Sequence, residues 1–416
     1  MVWQPSTIVT INGSDLTGVT LESIRVTRGR DDVFAEPQAG FVACDLIDLT
    51  GAGLGLEPLQ DISITIVNSL DERVDVFTGQ ISDTSVRLYD SGEVDGLPKG
   101  IVTIIATAAL ARLNRRQVAF DGLPVQDDGD RIAALIQAAL STPWEETGGT
   151  WSNFGTPTTT WGDLDPQIDL DLIDQPGSFE IAALPPAEGG YVALAQGYSA
   201  ALSGRGTLFD TADGFIAYAD GDHRRNAAIT DGYLPIPASA IVSQAIEPQS
   251  SQADIVNRAI VSYEGGSVTV TDEGSLLQFG LLASVFDTAL NLESQAIEWA
   301  IDYVEDHSRP VQKLRRVGIR LDTIDDDLRD QLLGVDVNSP VVLTGMPATL
   351  GIGPTFPAFV EGLDFRIDQE TTELVLTVSD ASLSIGSKRW EQVGATTTWD
   401  DVSATLQWVQ AAEVTT

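Results

Sequence analysis

Hydrophobic and polar positions alternate with a period of two through the first hundred or so residues, which is the pattern of half-buried β-strands. The run from Gln60 to Val67 alternates most cleanly. Five or six strands separated by turn residues are predicted in this region, among them 19–26, 40–48, 60–67, 74–81 and 100–106. Residues 107–116 then have helical spacing and end on basic residues, as the dipole of a helix favours.

The pattern changes to helical spacing between about residues 120 and 237. Acidic residues at 127–130 precede an Ala/Leu-rich stretch, 131–140, which predicts a helix with acids at its positive end. A second helix is predicted over 191–203. Residues 206–218 predict a β-hairpin with Asp213-Gly214 at the turn.

Strand patterns return after residue 238. A strand is predicted over 255–263, a turn over 275–280 and an amphipathic helix over 293–306. The predicted apolar face of that helix consists of Ala296, Ile297, Ala300, Ile301 and Val304. Further strands are predicted at 316–321, 340–344, 359–367 and 373–378, with the last two forming a hairpin around residues 368–372.

One Trp-rich pattern occurs twice. Residues 151–164 and 390–402 share W-x3-G, then T-T-T-W-x-D and an apolar residue, with one residue of gap. Two copies are too few for a solenoid. These segments have few long aliphatic side chains. When the second one is extended to residue 416, the two together carry five tryptophans. We therefore predict that they dock onto other chains, and the docking residues predicted are Trp151, Trp161, Trp390, Trp399 and Trp408.

The charge is strongly negative, with 61 acidic against 23 basic residues and a formal net charge of −38. Such a field repels phosphate, so direct nucleic-acid recognition is not expected. A GC-rich genome or a high-salt host would each account for the acids. No apolar run is long enough for a membrane helix, and the N-terminus has no basic or apolar leader, so no secretory signal is expected.

No pattern indicates catalysis or a cofactor, and we predict neither. The single cysteine, Cys44, is expected to be a buried packing residue, because a nucleophile needs a histidine partner and both histidines, His223 and His307, are in polar segments. The acidic run formed by Asp163, Asp165, Asp169, Asp171 and Asp174 lacks the glycine turn of a calcium loop, so these residues are interpreted as solvated loop acids. Asp210-Thr211-Ala212-Asp213-Gly214 is interpreted as a hairpin turn, and the acids at 325–327 as a helix start.

Several of these segments resemble the hub proteins of phage tails and baseplates, often named minor tail proteins. They are the strand 254–263, the S-L-x-x-F-G turn at 275–280, the helix 293–310 and the hairpin 359–379. Two further motifs are similar to minor tail proteins of phages from GC-rich hosts. The first is the opening V-x-R-G-R, which contains Arg28, Gly29 and Arg30, and the second is the C-terminal W-x-x-V-x-A-T-x-T-W-D-D-V.

The resemblance implies an α+β, mainly β chain. It would have two tube-like β-barrel or sandwich domains, a smaller α/β insertion between them and an extended C-terminal tail. The expected boundaries are 1–119, 120–237, 238–386 with a crossing helix at 293–307, and 387–416. It further implies a homotrimer in the virion, made in the host cytoplasm, that joins a six-fold tail tube to a three-fold tip. Its expected partners are the distal tail, tape-measure and tip or fibre proteins, with the host envelope contacted only indirectly.

The alternative function is a tail protein that binds or degrades host cell-wall glycan, with tryptophans stacking on sugars. Against it, most of the tryptophans belong to the repeat and its extension. Two further residues are predicted to be structural: Asn257, whose amide would hold neighbouring backbone, and Gly280, which would end its turn with a positive φ.

Overall fold

A large, mostly antiparallel β-sheet dominates the computed structural model. The structure describes residues 6–31, 35–36, 38–50, 53–89, 99–118, 122–140, 168–186, 190–242, 246, 248–249, 254–310 and 313–381. No helix among them combines the length and the apolar character that crossing a membrane requires.

The first part of the chain forms seven strands and a short helix. They are β1 (Thr7–Ile11), β2 (Ser14–Asp15), β3 (Val19–Gly29), β4 (Gln38–Asp48), β5 (Asp61–Val67), β6 (Arg73–Tyr89), β7 (Lys99–Thr107) and α1 (Ala109–Leu113). The strands predicted here are confirmed, and β1 and β2 are additional. Strand β6 is unusually long because it changes partner: it pairs with β5 up to Gln80 and with β7 from Gln80 onward, with a bulge between Ile81 and Asp83.

The middle of the chain contains short strands and three helices. They are β8 (Gln117–Val118), β9 (Gln126–Asp127), α2 (Asp128–Leu140), β10 (Glu180–Ile181), β11 (Tyr191–Val192), α3 (Ala193–Ser203), β12 (Thr207–Asp210), β13 (Ile216–Ala219), α4 (His223–Thr230) and β14 (Leu234–Pro237). The predicted hairpin is confirmed as β12 and β13, and Gly214 has the positive φ of +92° in its turn. Asp128 and Asp130 lie within the first turn of α2 rather than before it.

The last part of the chain returns to strands. They are β15 (Pro248–Gln249), β16 (Arg258–Tyr263), β17 (Gly266–Thr271), β18 (Ala283–Phe286), β19 (Lys313–Leu314), β20 (Arg316–Arg320), β21 (Pro340–Thr344), β22 (Thr355–Asp368) and β23 (Thr372–Asp380). Three helices accompany them: α5 (Glu273–Phe279), α6 (Glu293–His307) and α7 (Asp326–Leu333). The acids before α7 form its predicted start, since the Asp325 side chain accepts a hydrogen bond from Leu328 N.

Two details of this part were predicted wrongly. Residues 273–279 form the helix α5 rather than a turn, because Asp272 caps its N-terminus by accepting from Ser275 N. Helix α6 buries Ala296, Ala300 and Val304 as predicted, but Ile297 is 39% exposed. The buried face instead continues through larger aromatic side chains, Trp299, Tyr303 and His307.

The strands of both ends of the chain belong to one sheet. Its order is β14-β21-β22-β3-β4-β7-β6-β5-β1-β2, and β23 pairs with β22 and β20. The two ends meet where β3 pairs with β22, from Ser23 opposite Asp368 to Gly29 opposite Gly362. We call this pairing the seam. The α+β, mainly β class is confirmed, although no closed barrel is found among the described residues; the division into 1–119, 120–237 and 238–386 stays a prediction.

Four apolar clusters stabilise this arrangement, and the smallest is formed by Phe359 and Ala381. The largest lies against the sheet and contains residues from both ends of the chain, such as Val26 and Phe365. A second fills the space between α1, α2, α3 and the hairpin β12–β13. The third lies between α6 and a separate three-stranded sheet, β17-β16-β18. We call this last assembly, β16 to α6, the α6 unit.

Candidate functional site

The five predicted docking tryptophans, Trp151, Trp161, Trp390, Trp399 and Trp408, lie outside the described residues. Both copies of the Trp-Thr repeat, and the acids Asp163 and Asp165, lie outside them as well. Docking by these residues therefore stays a prediction. The described part of the chain instead contains polar features that sequence reasoning did not select.

The most prominent is a buried carboxylate beside the seam. Glu361, on β22, is fully buried, and its Oε2 lies 2.7 Å from Arg30 Nε. Arg224, on α4, contacts both carboxylate oxygens, at 2.7 Å and 2.8 Å, and Ser379 Oγ donates to Oε1 at 2.5 Å. The Arg224 side chain also donates to Asn338 Oδ1 at 2.8 Å. One carboxylate thus connects the first, middle and last parts of the chain.

The electrostatics of Glu361 favour its charged form. Burial opposes ionisation, but the nearby guanidinium groups of Arg224 and Arg30 outweigh it and lower the pKa of Glu361 to about 2. Such a buried, ion-paired carboxylate is already satisfied by its own chain. Glu361 therefore serves as a structural joint, since its carboxylate contacts Arg30, Arg224 and Ser379 of its own chain.

A second buried network lies next to the first. Arg28 Nη1 donates to Asp336 Oδ1 at 2.7 Å and to the backbone oxygen of Asp210 at 3.3 Å. The Asp210 carboxylate accepts from Gly40 N at 2.7 Å and from Leu110 N at 2.8 Å. Burial raises the pKa of Asp210 to about 6, against the effect of these two hydrogen bonds. Asp210, the last residue of β12, thus fixes the turn end of the middle hairpin to the first β region.

The V-x-R-G-R opening now has a physical explanation. Arg28 and Arg30 each reach a carboxylate in the last part of the chain, Asp336 and Glu361. Gly29, between them, has a φ of +91°, and a Cβ there would lie 2.3 Å from the backbone oxygen of Glu361. The residues of this motif therefore stabilise the seam and hold the two ends of the chain together.

In the described residues, no group of three or more His, Cys, Asp or Glu residues is placed to hold a metal ion. Cys44 is fully buried as predicted, and burial raises the pKa of its thiol. In the sheet it lies between Ile24 and Ile104. Apolar neighbours on both sides make Cys44 a packing residue.

Each of the two histidines has a partner within the chain. His223 Nδ1 lies 2.7 Å from Asp174 Oδ2, and this hydrogen bond raises the pKa of His223. His307 is buried and stacks on Tyr303, with ring centroids 4.2 Å apart. Asp174 was predicted to be a solvated loop acid, and the structure corrects this. Its carboxylate is the partner of His223 and accepts a hydrogen bond from Asp220 N.

The predictions for Asn257 and Gly280 are confirmed. Asn257 is fully buried immediately before β16; its Nδ2 donates to Gly280 O at 2.7 Å and its Oδ1 accepts from Leu282 N at 2.9 Å. Leu282 O in turn accepts from the backbone N of Asn257 and of Arg258. Gly280 ends α5 with a φ of +79°. We call this arrangement the Asn257 latch, since it fixes the chain that enters β18.

Exposed apolar side chains occur on strands at sheet edges. On the second half of β6, which pairs only with β7 in the described chain, Val86 is 69% and Leu88 81% exposed. On β18, which pairs only with β16 there, Val285 is 72% exposed. Edges of this kind are open to pairing with further strands.

Two solved structures with the same architecture are tail proteins. The 43 kDa tail protein of prophage MuSo2 from Shewanella oneidensis matches with a TM-score of 0.54 and 13% sequence identity, over 91% of this chain and 99% of that one. The tail protein from Neisseria meningitidis MC58 matches with a TM-score of 0.58 and 13% identity, over 92% of this chain and 98% of the other. This chain has a phage tail-protein fold.

The tail-protein fold confirms the resemblance inferred from the sequence at the level of architecture. No protein-family model matches the chain, and neither does any curated protein. The tail-protein fold therefore rests on the placement of its elements and much less on the identity of single residues.

Proposed function

We propose that this chain is a structural virion protein, the hub of a phage tail tip or baseplate. As a homotrimer it would present two tube-like domains per copy, six in all, and so join a six-fold tail tube to a three-fold tip. The observation that carries the proposal is the correspondence of its fold with two tail proteins over nine-tenths or more of each chain. A shared insertion or single domain would not produce agreement of that extent.

The arrangement of the sheet supports this role. The seam fixes the first and last β regions of one copy side by side, and the buried Glu361 joint holds them there. The edge half of β6, with Val86 and Leu88 exposed, then offers a surface on which the next copy can pair or pack. Repetition of that contact three times closes a ring.

The expected neighbours are the distal tail, tape-measure and tip or fibre proteins, with no direct nucleic-acid recognition and only indirect contact with the host envelope. Trp151, Trp161, Trp390 and Trp399, which belong to the two repeat copies, would dock on such neighbours. The protein would be made in the host cytoplasm and act in the virion without catalysis. The buried carboxylate of Glu361, whose ion pairs lie within the chain, supports a role in assembly.

The test is the mass and symmetry of the purified full-length chain. Native mass spectrometry is expected to show three copies of 44.3 kDa, about 133 kDa, and negative-stain microscopy three-fold rings. Val86→Lys with Leu88→Lys should give monomers, because lysine on an edge strand blocks further pairing. The matched control is Leu70→Lys, which alters an equally exposed leucine in the turn between β5 and β6.

A wild-type chain that stays monomeric over the tested concentration range would contradict the trimer. A monomer that sediments with insoluble peptidoglycan would support the glycan-binding alternative instead.

A further inference from the structure

The α6 unit presents a strip of apolar side chains at its open edge. Leu281, Ala283 and Val285 occupy every second position, so they lie on the face of the sheet opposite to α6. Phe286 and Ser284 point the other way, and Phe286 packs on Trp299 with ring centroids 4.6 Å apart. Leu281 is 57% exposed. We call these three residues the edge strip.

The edge strip is held rigidly. The Asn257 latch uses the backbone groups of Gly280 and Leu282, on either side of Leu281, for hydrogen bonds within the chain. Its backbone is therefore ordered before anything binds, and a partner has little conformational entropy left to remove. An ordered, uncharged edge on so acidic a protein is a surface that soluble proteins normally cover.

The described chain ends on the side of the molecule where α6 ends, not at the strip itself. Ala381, its last residue, is buried directly after β23. Asp380 is near enough to Asp306, on the last turn of α6, to contribute to the raised pKa of Asp306. From that turn, His307 O accepts a hydrogen bond from Val256 N, next to Asn257. The remaining C-terminal residues thus begin beside the base of the α6 unit.

These C-terminal residues include one segment that matches the strip. Val402, Ala404, Leu406 and Trp408 alternate with Ser403, Thr405 and Gln407, the pattern of a strand with one apolar face. No charged residue occurs between Asp401 and Glu413. A charge-free segment avoids the repulsion that the acidic surface exerts on most of the chain.

We propose that residues 402–409 add as a strand to the free edge of β18 in the same chain, with their apolar face on the edge strip. The 20 residues between Ala381 and Val402 span up to roughly 70 Å when extended, against about 22 Å for the length of α6, so the segment reaches the strip easily. The short tether gives it an effective concentration on the order of millimolar, which favours the chain's own segment over a neighbour's. Trp408, outside both repeat copies, is then covered by its own chain rather than by a partner.

Disulfide trapping in the full-length protein tests the pairing directly. Cysteine at Val285 is combined in turn with cysteine at Ala404, Leu406 or Trp408, and Cys44, being buried, does not interfere. At least one pair is expected to form a disulfide within single chains, read by peptide mapping and by migration on non-reducing gels. The matched control places the first cysteine at Ser267, which is exposed on β17 at the other edge. It is expected not to cross-link.

Hydrogen exchange gives a second measurement. Amides of β18 should exchange about tenfold faster when the chain ends at Asp401, or when Val285→Glu puts a charge on the strip. Thr269→Glu, an equally charged change on the outer face of β17, should leave β18 unaffected.

Disulfides only between chains would show that a neighbouring copy occupies the strip and would overturn the assignment. Absence of any cross-link, together with unchanged exchange on truncation, would overturn docking altogether. The inference goes beyond the proposed hub function and does not depend on it, because these readouts concern single chains whereas the hub is tested by trimer mass.

Discussion

The seam and the α6 unit are both places where a strand meets polar side chains, but they are completed in different ways. At the seam, every strand edge is paired and the buried charge of Glu361 is met by Arg30 and Arg224 from elsewhere in the chain. In the α6 unit, Asn257 holds the chain with neutral hydrogen bonds and leaves β18 open on one side. The strands of the first region are paired on both sides, whereas the second region keeps one strand edge unpaired among the described residues.

The largest effect is expected from removing the carboxylate of the seam. Glu361→Ala deprives two buried guanidinium groups of their shared anion, at a cost of roughly 3–5 kcal/mol in the free energy of unfolding. Urea denaturation measures this loss. The control is Arg25→Gln, which breaks the exposed pair between Arg25 and Asp364 in the same two strands and should cost far less. Equal losses would show that burial of the Glu361 pair is unimportant.

The same carboxylate predicts a pH dependence. Its pKa is about 2 in the folded chain, against an ordinary value of 4.5, so its stabilisation is complete above the ordinary value and is lost as pH falls towards 2. Glu361→Gln should therefore lower Tm clearly at about pH 6 and much less at about pH 3. A difference in Tm that is constant over this range would contradict ionisation of Glu361.

Gly29→Ala should be the next most damaging change. Its new Cβ would lie 2.3 Å from Glu361 O and 2.7 Å from Gly362 Cα, at a φ of +91°. Overpacking and backbone strain together cost about 3 kcal/mol. Thermal unfolding measures the loss, and Gly53→Ala is the control, since its φ is also positive but nothing lies within 4 Å. A smaller loss at Gly29 than at Gly53 would show that the strands of the seam separate easily.

Asn257→Ala tests the other side of the comparison. It leaves Gly280 O and Leu282 N without their side-chain partner, and roughly 2–3 kcal/mol should be lost. Hydrogen exchange should rise in residues 280–286 while the seam keeps its protection. The exposed Gln278→Ala is the control within the same unit. If exchange rose equally at the seam, the two regions would not be independent.

Gly280→Ala should have the smallest effect, on the order of 1 kcal/mol. The backbone at Gly280 has a φ of +79°, but a Cβ there would meet nothing within 4 Å. Strain therefore acts alone, without the collision expected at Gly29. A chemical denaturation series of both alanine variants compares the two glycines directly, and equal losses would mean that crowding at the seam contributes nothing.

The hydrophobic pattern and turn residues of single segments were sufficient to predict most of the secondary structure. The hairpin at Asp213-Gly214, the helix α6 and most strands of the sheet are encoded in their own segments, as are the roles of Asn257 and Gly280. The buried face of α6 was predicted to include Ile297 and Ile301 because these residues are strongly hydrophobic. In the structure, Trp299 and Tyr303 instead fill the space beneath the small sheet.

The polar joint could not be predicted in the same way. Glu361 is conspicuous only as a charge within an apolar strand, and its partners Arg30 and Arg224 are distant in the sequence. With 61 acids in the chain, no pairing can be chosen without the strand order. The motif that contains Arg28, Gly29 and Arg30 was recognised, but its purpose became clear only once β3 was placed beside β22.

The seam also sets the order of events during synthesis. Gly29 pairs with Gly362, so β3 emerges from the ribosome long before the strand that completes it. At usual translation rates the interval is roughly 20–70 s, during which one edge of β3 has no native partner. Nascent chains with open edges tend to associate with each other. The complete chain has a net charge of −38, and mutual repulsion between chains of so acidic a composition opposes this association.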